Sequence, residues 1–252
     1  RHLSQGADPF NSARPVCIRP RRAAISPRTR QMEPPPVEFS SLSKFRAARA
    51  DAFDKGPAAM VVVEDRVEIA STLAHLHGLG FAHVFVFAPD DITIPDAPPD
   101  ARGAQHVIRG RSRMPGTAQL AVNTLIEKRP GEWVHYCYNG EYLFFPFCED
   151  RSIGEVTTWV MEERRASVLT YVIDLYATDL TTHPNAVSRD TAMLDASGYY
   201  AEGRPDPDNH NYPRERQLNF YGGLRWRFEE HVPRAKRRID RVGLFQAQPG
   251  LT

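Results

Sequence analysis

Cysteine is scarce. Cys17, Cys137 and Cys148 are the three in 252 residues, an odd number with no C-x-x-C spacing. That excludes a disulfide framework or a zinc knuckle as the organising device and fits a reducing cytoplasm. No run of eighteen apolar residues occurs, so no segment reads as a transmembrane helix. Neither G-x-G-x-x-G nor G-x-x-x-x-G-K-[ST] follows the first candidate strand, which removes the dinucleotide and P-loop phosphate cradles.

Net charge is nearly absent too, at +1, but the balance is uneven. Residues 1–31 hold seven arginines against one acid, Asp8, leaving 25 basic and 30 acidic residues in the rest. This Pro-, Ser- and Arg-rich segment has no apolar periodicity, and residues 1–57 as a whole are expected to be a disordered basic and Pro-rich N-terminal segment. Met32 opens text of different character, so 1–31 reads as upstream sequence. The alternatives are a transit-like peptide or a nucleic-acid-binding arm, and the acidic remainder argues against nucleic acid as partner. Within 33–58, a short helix over 43–53 would place Phe45, Ala48 and Ala52 on one face.

Organised patterning begins at residue 58. Residues 58–63 (AAMVVV) read as a strand buried on both faces. An amphipathic helix to about Leu79 follows, with Glu64 or Asp65 as cap and Gly78 or Gly80 as stop. Residues 83–88 (HVFVFA) make a second strand running into Pro89, Asp90 and Asp91. The result is a β-α-β unit with parallel strands, whose C-terminal strand ends form one ligand-binding edge. Glu64, Asp65, Arg66, Asp90 and Asp91 are delivered there, either to hold a nucleoside through carboxylate hydrogen bonds or simply to cap the helix and form the turn.

Residues 92–113 read as a loop, with a short strand at 105–108 and arginines at 102, 109, 111 and 113 that either face a diphosphate or are solvated. Residues 117–128 make a helix with Leu120, Leu125 and Ile126 inward. It feeds the stretch around which the chain is organised, WVHYCYNGEYLFFPF at 133–147. Its first six residues are aromatic and β-favouring, Asn139-Gly140 suits a tight bend, and Glu141 follows at once. A carboxylate at the end of a buried strand suits a ligand or metal site in an open α/β sheet; it equally suits an acidic loop residue.

Ser152 and Glu155 form a capping box for a helix to about Arg165. Residues 166–176 read as a strand, and 176–213 as a long polar loop containing Asp179, His183, Asp190 and Asp195. Residues 217–228 look like two short strands around Gly222-Gly223. The charged run 229–241 is a solvated helical face or a weak anion patch.

In this order the elements resemble family 2-type glycosyltransferases with the GT-A fold, especially a bacterial subgroup that opens with a strand, an Asn-Glu pair and a helix ending in H-x-x-L-G. The text MVVVEDRVEIASTLAHLHGLGFAHVFVF corresponds, with HLHGLGFAHVF at 75–85 nearest to it. WVHYCYNGEYLFFP looks like the family's D-x-D-E-F-L block, with Glu141-Tyr142-Leu143 on E-F-L. The resemblance covers about 58–180, less closely to 245. It departs in placing Tyr138 and Gly140 on the two metal-binding aspartates, and a shifted register offers Asn139 and Glu141. Glu64-Asp65 replaces Asn-Glu, and Arg225-Trp226 is similar to the end of a Q-x-x-R-W motif with Gly222 in place of Gln. The chain stops soon after Phe245, earlier than the family does.

The resemblance implies a GT-A-like (Rossmann-like) α/β domain over 58–252, C-terminally incomplete, with a mostly parallel central sheet and flanking helices. It implies transfer of a sugar from a nucleoside-diphosphate sugar to a glycan or other hydroxyl acceptor, or else a catalytically inactive module binding a nucleotide sugar, glycan or protein. A divalent metal, Mn²⁺ or Mg²⁺, would sit on Asn139 and Glu141. Glu64, Asp65, Asp90 and Asp91 would hold the nucleoside, Arg109 and Arg111 the diphosphate, and Asp174 or Asp179 would be the base.

Overall fold

The computed structural model describes residues 13–16, 37–49, 53–248 and 250–251. Residues 1–12, 17–36 and 50–52, with the expectations that fall on them, therefore lie outside the described residues. Where one domain over 58–252 was expected, the chain divides into two compact units: Pro20–Leu169 with Val242–Thr252, and Arg1–Arg19 with Thr170–Arg241.

The strands in chain order are β1 (Ala13–Val16), β2 (Val37–Phe39), β3 (Ala58–Val62), β4 (His83–Ala88), β5 (Ala104–Arg109), β6 (Trp133–Tyr138), β7 (Ser167–Tyr171), β8 (Ala192–Asp195), β9 (Tyr200–Pro205), β10 (Pro213–Tyr221) and β11 (Asp240–Gln246). The helices are α1 (Leu42–Ala47), α2 (Ile69–Leu79), α3 (Thr117–Lys128), α4 (Ile153–Glu162) and α5 (Leu224–Arg227).

The larger unit is built on a seven-stranded sheet of order β2-β5-β4-β3-β6-β11-β7. The first five strands run parallel and β11 pairs antiparallel with β6. Every residue of β3 and β4 is buried, because helices cover both faces of a parallel sheet. Alternate side chains sort into two cores. Ala59, Val61, Val84, Val86 and Cys137 pack with Leu73 and Leu76 of α2 and with Ile153 and Val160 of α4. Ala58, Met60, Val62, Phe85 and Phe87 pack with Phe45 of α1 and with Leu125 and Ile126 of α3. The protein is thus α/β with a mostly parallel central sheet. Among the described residues, no helix is long and apolar enough to cross a membrane.

Several boundaries meet expectation: β4, α3 and β6 coincide with it, and α4 carries its capping box between Ser152 and Glu155. Glu155 accepts from Ser152 N–H, Arg151 and Ser152 Oγ, which holds its carboxyl down to about 2. Gly80 ends α2 at φ 86°, a left-handed conformation natural to glycine.

Other expectations are corrected. The disordered segment expected through 57 instead supplies β2 and α1 over part of its length, because Phe45 is fully buried against Phe39, Phe53 and Phe85. β1 likewise pairs antiparallel with β8. Leu120 is half exposed, since Ala121, Val122, Leu125 and Ile126 form the inward face of α3. The second short strand expected directly after Gly223, within 224–228, is replaced by a helical turn. Gly222 and Gly223 turn the chain at φ 153° and 61° against Tyr199, and α5 begins instead. In the smaller unit, β8 and β9 lie within what reads as a loop, and β9 forms an antiparallel ribbon with β10, whose 217–221 part is the first of the two strands expected there.

Candidate functional site

The sheet order β5-β4-β3-β6 advances in one direction and reverses between β3 and β6, which lie side by side in parallel. In open α/β sheets, the crevice outside the strand ends at such a reversal is the ligand site. Two short segments line it here, 63–68 after β3 and 139–142 after β6.

Asn139 joins them. Its backbone N–H donates to Val62 O at 3.3 Å, and its Oδ1 accepts from Glu64 N–H at 2.9 Å. Its Nδ2 donates to Asp65 Oδ1 at 2.6 Å and to Val67 O at 2.9 Å. Asp65 Oδ1 also accepts from Val67 N–H at 2.8 Å. That turn keeps the chain from becoming helical until Ile69, so neither Glu64 nor Asp65 caps α2. Gly140 N–H donates to Thr72 Oγ1 at 2.9 Å. Glu141 folds back, its Oε2 accepting from Tyr138 N–H at 2.9 Å. Tyr142 Oη lies 2.8 Å from Ser71 Oγ and donates to Glu68 Oε2 at 3.3 Å.

The rim is charged. Arg66 donates to Asp91 O at 2.9 Å. Arg113 reaches the Asp91 carboxylate at 3.1 Å and donates from Nε to Glu64 O at 2.6 Å. Glu64, Asp65, Arg66, Asp90, Asp91, Arg111 and Arg113 are exposed. α2 starts at the crevice with Glu68 in a left-handed N-cap conformation that makes no side-chain cap, leaving the first helical N–H groups toward the site.

The crevice thus gathers Glu64, Asp65, Asp91, Asn139 and Glu141. The other expected residues are held elsewhere. Arg109 is bound by Glu38 of β2 at 2.6 Å and by the carbonyls of Pro89 and Ile92, so its guanidinium serves the sheet edge rather than a diphosphate. Arg111 meets Met114 Sδ at 3.9 Å. Asp174 and Asp179 belong to the smaller unit. Asp174 forms a two-pronged ion pair with Arg225 at 2.6 and 3.0 Å. Asp179 accepts from Thr181 N–H and Thr182 Oγ1, closing its own turn, and these bonds lower its pKa.

The block after β6 fits a hard divalent cation poorly. Asn139 has committed its oxygen to Glu64 N–H and turns its amide to Asp65, so Glu141 is the lone carboxylate the block supplies, whereas such ions want several oxygen ligands. Among the described residues, no three His, Cys, Asp or Glu side chains group as a metal seat. The sequence pattern missed Glu68, Ser71 and Tyr142, which meet across some seventy residues of chain. The one hint was a polar helix start facing a tyrosine that follows a tight turn.

Compared with known proteins, the chain matches no family model, no curated protein and no solved structure.

Proposed function

We propose that the chain is a glycosyltransferase-like protein whose crevice between β3 and β6 receives a nucleoside-diphosphate sugar. The observation that carries this reading is the reversal of strand order at β3 and β6, with a carboxylate-bearing segment on each side and the start of a helix between them. Glu64 and Asp91 accept hydrogen bonds from ribose or base donors; Asp91, beyond the second strand of the β-α-β unit, has the place of the ribose-binding acid in dinucleotide-binding sheets. The leaving diphosphate is neutralised by Arg66, Arg113 and the N-terminus of α2, because the Asn139–Glu141 block does not furnish a cation seat. The similarity of 58–180 to the GT-A family supports the same substrate class, with a glycan or other hydroxyl as acceptor.

Transfer also requires a base at the acceptor hydroxyl. Asp174 is committed to Arg225 and Asp179 to its turn, and this favours a second reading: a module that binds the nucleotide sugar without transferring it. Thermal-shift titration of the whole chain with UDP- and GDP-sugars, with EDTA or with Mn²⁺, tests the first claim. Stabilisation that survives EDTA supports it. A shift that needs added Mn²⁺ overturns the metal-free part, and no shift with any donor overturns the reading. Release of nucleoside diphosphate in a turnover assay separates enzyme from module.

A further inference from the structure

The smaller unit has a feature that the crevice does not use. The segment 225–240 holds six Lys and Arg residues against three acids. It folds around an open hollow of about 590 Å³ lined by Arg225, Val232, Ala235, Lys236, Arg238 and Asp240. That volume is in the range of small-molecule sites.

Its cations are held with different firmness. Asp240 is almost fully buried, accepts from Phe220 N–H at 2.8 Å, and pairs with Arg238 through Nε and Nη2. Arg225 is fixed by Asp174 and donates its remaining nitrogen to Arg238 O at 2.7 Å. Arg225 is therefore saturated and acts as a wall. Among the described residues, no acceptor meets Arg238 Nη1 or the ammonium of Lys236. A guanidinium already oriented by a buried carboxylate loses little freedom on binding, and Lys236 adds a mobile point charge. The two carboxylates neutralise the two arginines, so the hollow retains one positive charge.

We propose that this hollow is an anion site for a phosphate group carried on a small molecule, with Arg238 Nη1 and Lys236 Nζ as its donors. Phosphate suits two prongs from different directions, since its oxygens diverge tetrahedrally. Val232 and Ala235 give the attached group an apolar wall, and the volume exceeds what a bare anion fills.

The test is residue-resolved NMR on the whole chain, following the amides of Val232, Ala235 and Lys236. It titrates inorganic phosphate, pyrophosphate and a hexose 1-phosphate. Saturable shifts at these amides are expected, tightest for the hexose 1-phosphate and weaker as salt rises. Lys236→Glu should weaken binding about tenfold or more, the usual scale of losing one charge-assisted bond. Lys236 is exposed, so this change leaves folding intact, and Lys236→Arg should retain binding. No saturable shift with any of the three, or equal affinity in Lys236→Glu, overturns the site. Inorganic phosphate binding as tightly as the hexose 1-phosphate overturns the role of the attached group.

Discussion

Asn139 and Asp65, seventy-four residues apart in the chain, meet at 2.6 Å between Nδ2 and Oδ1. With the Glu64 N–H on its Oδ1, Asn139 closes the gap between the ends of β3 and β6. The residue that a metal-binding register would make a ligand is instead the clasp of the crevice.

Removing the clasp therefore affects stability as well as binding. Asn139→Ala loses three side-chain hydrogen bonds, which at the usual net value of about 1 kcal/mol each amounts to about 3 kcal/mol. Urea denaturation measures it. Unchanged stability would mean that the clasp contributes nothing to the fold.

A buried histidine pair makes stability depend on pH. His83 Nε2 lies 2.8 Å from Asp54 O, which only accepts, so that nitrogen carries the proton and His83 Nδ1 is an acceptor. His106 Nε2, 3.1 Å away, must then donate to it, leaving His106 Nδ1 buried with no partner among the described residues. Burial first, then His83 and Arg129, push the His106 pKa down from 6.5 to about 4. The unfolded chain binds a proton below pH 6.5 that the folded chain refuses until about 4, so stability falls as pH falls through that window. The loss attributable to His106 is about 3 kcal/mol. Denaturation midpoints between pH 7 and 4 should show the slope, and His106→Gln should flatten it.

Phe45 tests whether the 37–49 segment belongs to the core. Phe45→Ala removes a fully buried ring packed on Phe39, Phe53 and Phe85. A loss of about 3–5 kcal/mol is expected by calorimetry or denaturant. A loss below about 1 kcal/mol would detach α1 from the core.

The ion pair of Asp174 and Arg225, about a quarter exposed, has a structural role. A double-mutant cycle with Asp174→Asn and Arg225→Gln should give a coupling of about 1–2 kcal/mol in stability. Zero coupling would return Asp174 to candidacy as a base.

Much of the sheet was legible because burial on both faces writes itself as continuous apolar runs: AAMVV in β3 and HVFVFA in β4 need no tertiary knowledge. Helix α3 and the capping box of α4 were equally plain, being local patterns. The rest depends on contacts distant in sequence. β11 enters the sheet antiparallel beside β6 from more than a hundred residues away, and its text, DRVGLFQ, carries neither an apolar run nor a clean alternation. Gly222-Gly223 read as a hairpin turn, but packing against Tyr199 decides its course. At the crevice, the residues Glu64, Asp65 and Glu141 were visible from their place after strands. The role of Asn139 was not, because hydrogen-bond partners across seventy residues leave no spacing signal.

The most direct test of the central claim is isothermal titration of UDP- and GDP-sugars into the whole chain in EDTA, beside Glu64→Gln and Arg66→Ala. Both side chains are exposed at the crevice, so neither change should disturb the fold. The account predicts saturable binding of at least one donor without metal, weakened about tenfold in each variant. No binding by any donor, or binding that both variants leave unchanged, would contradict it.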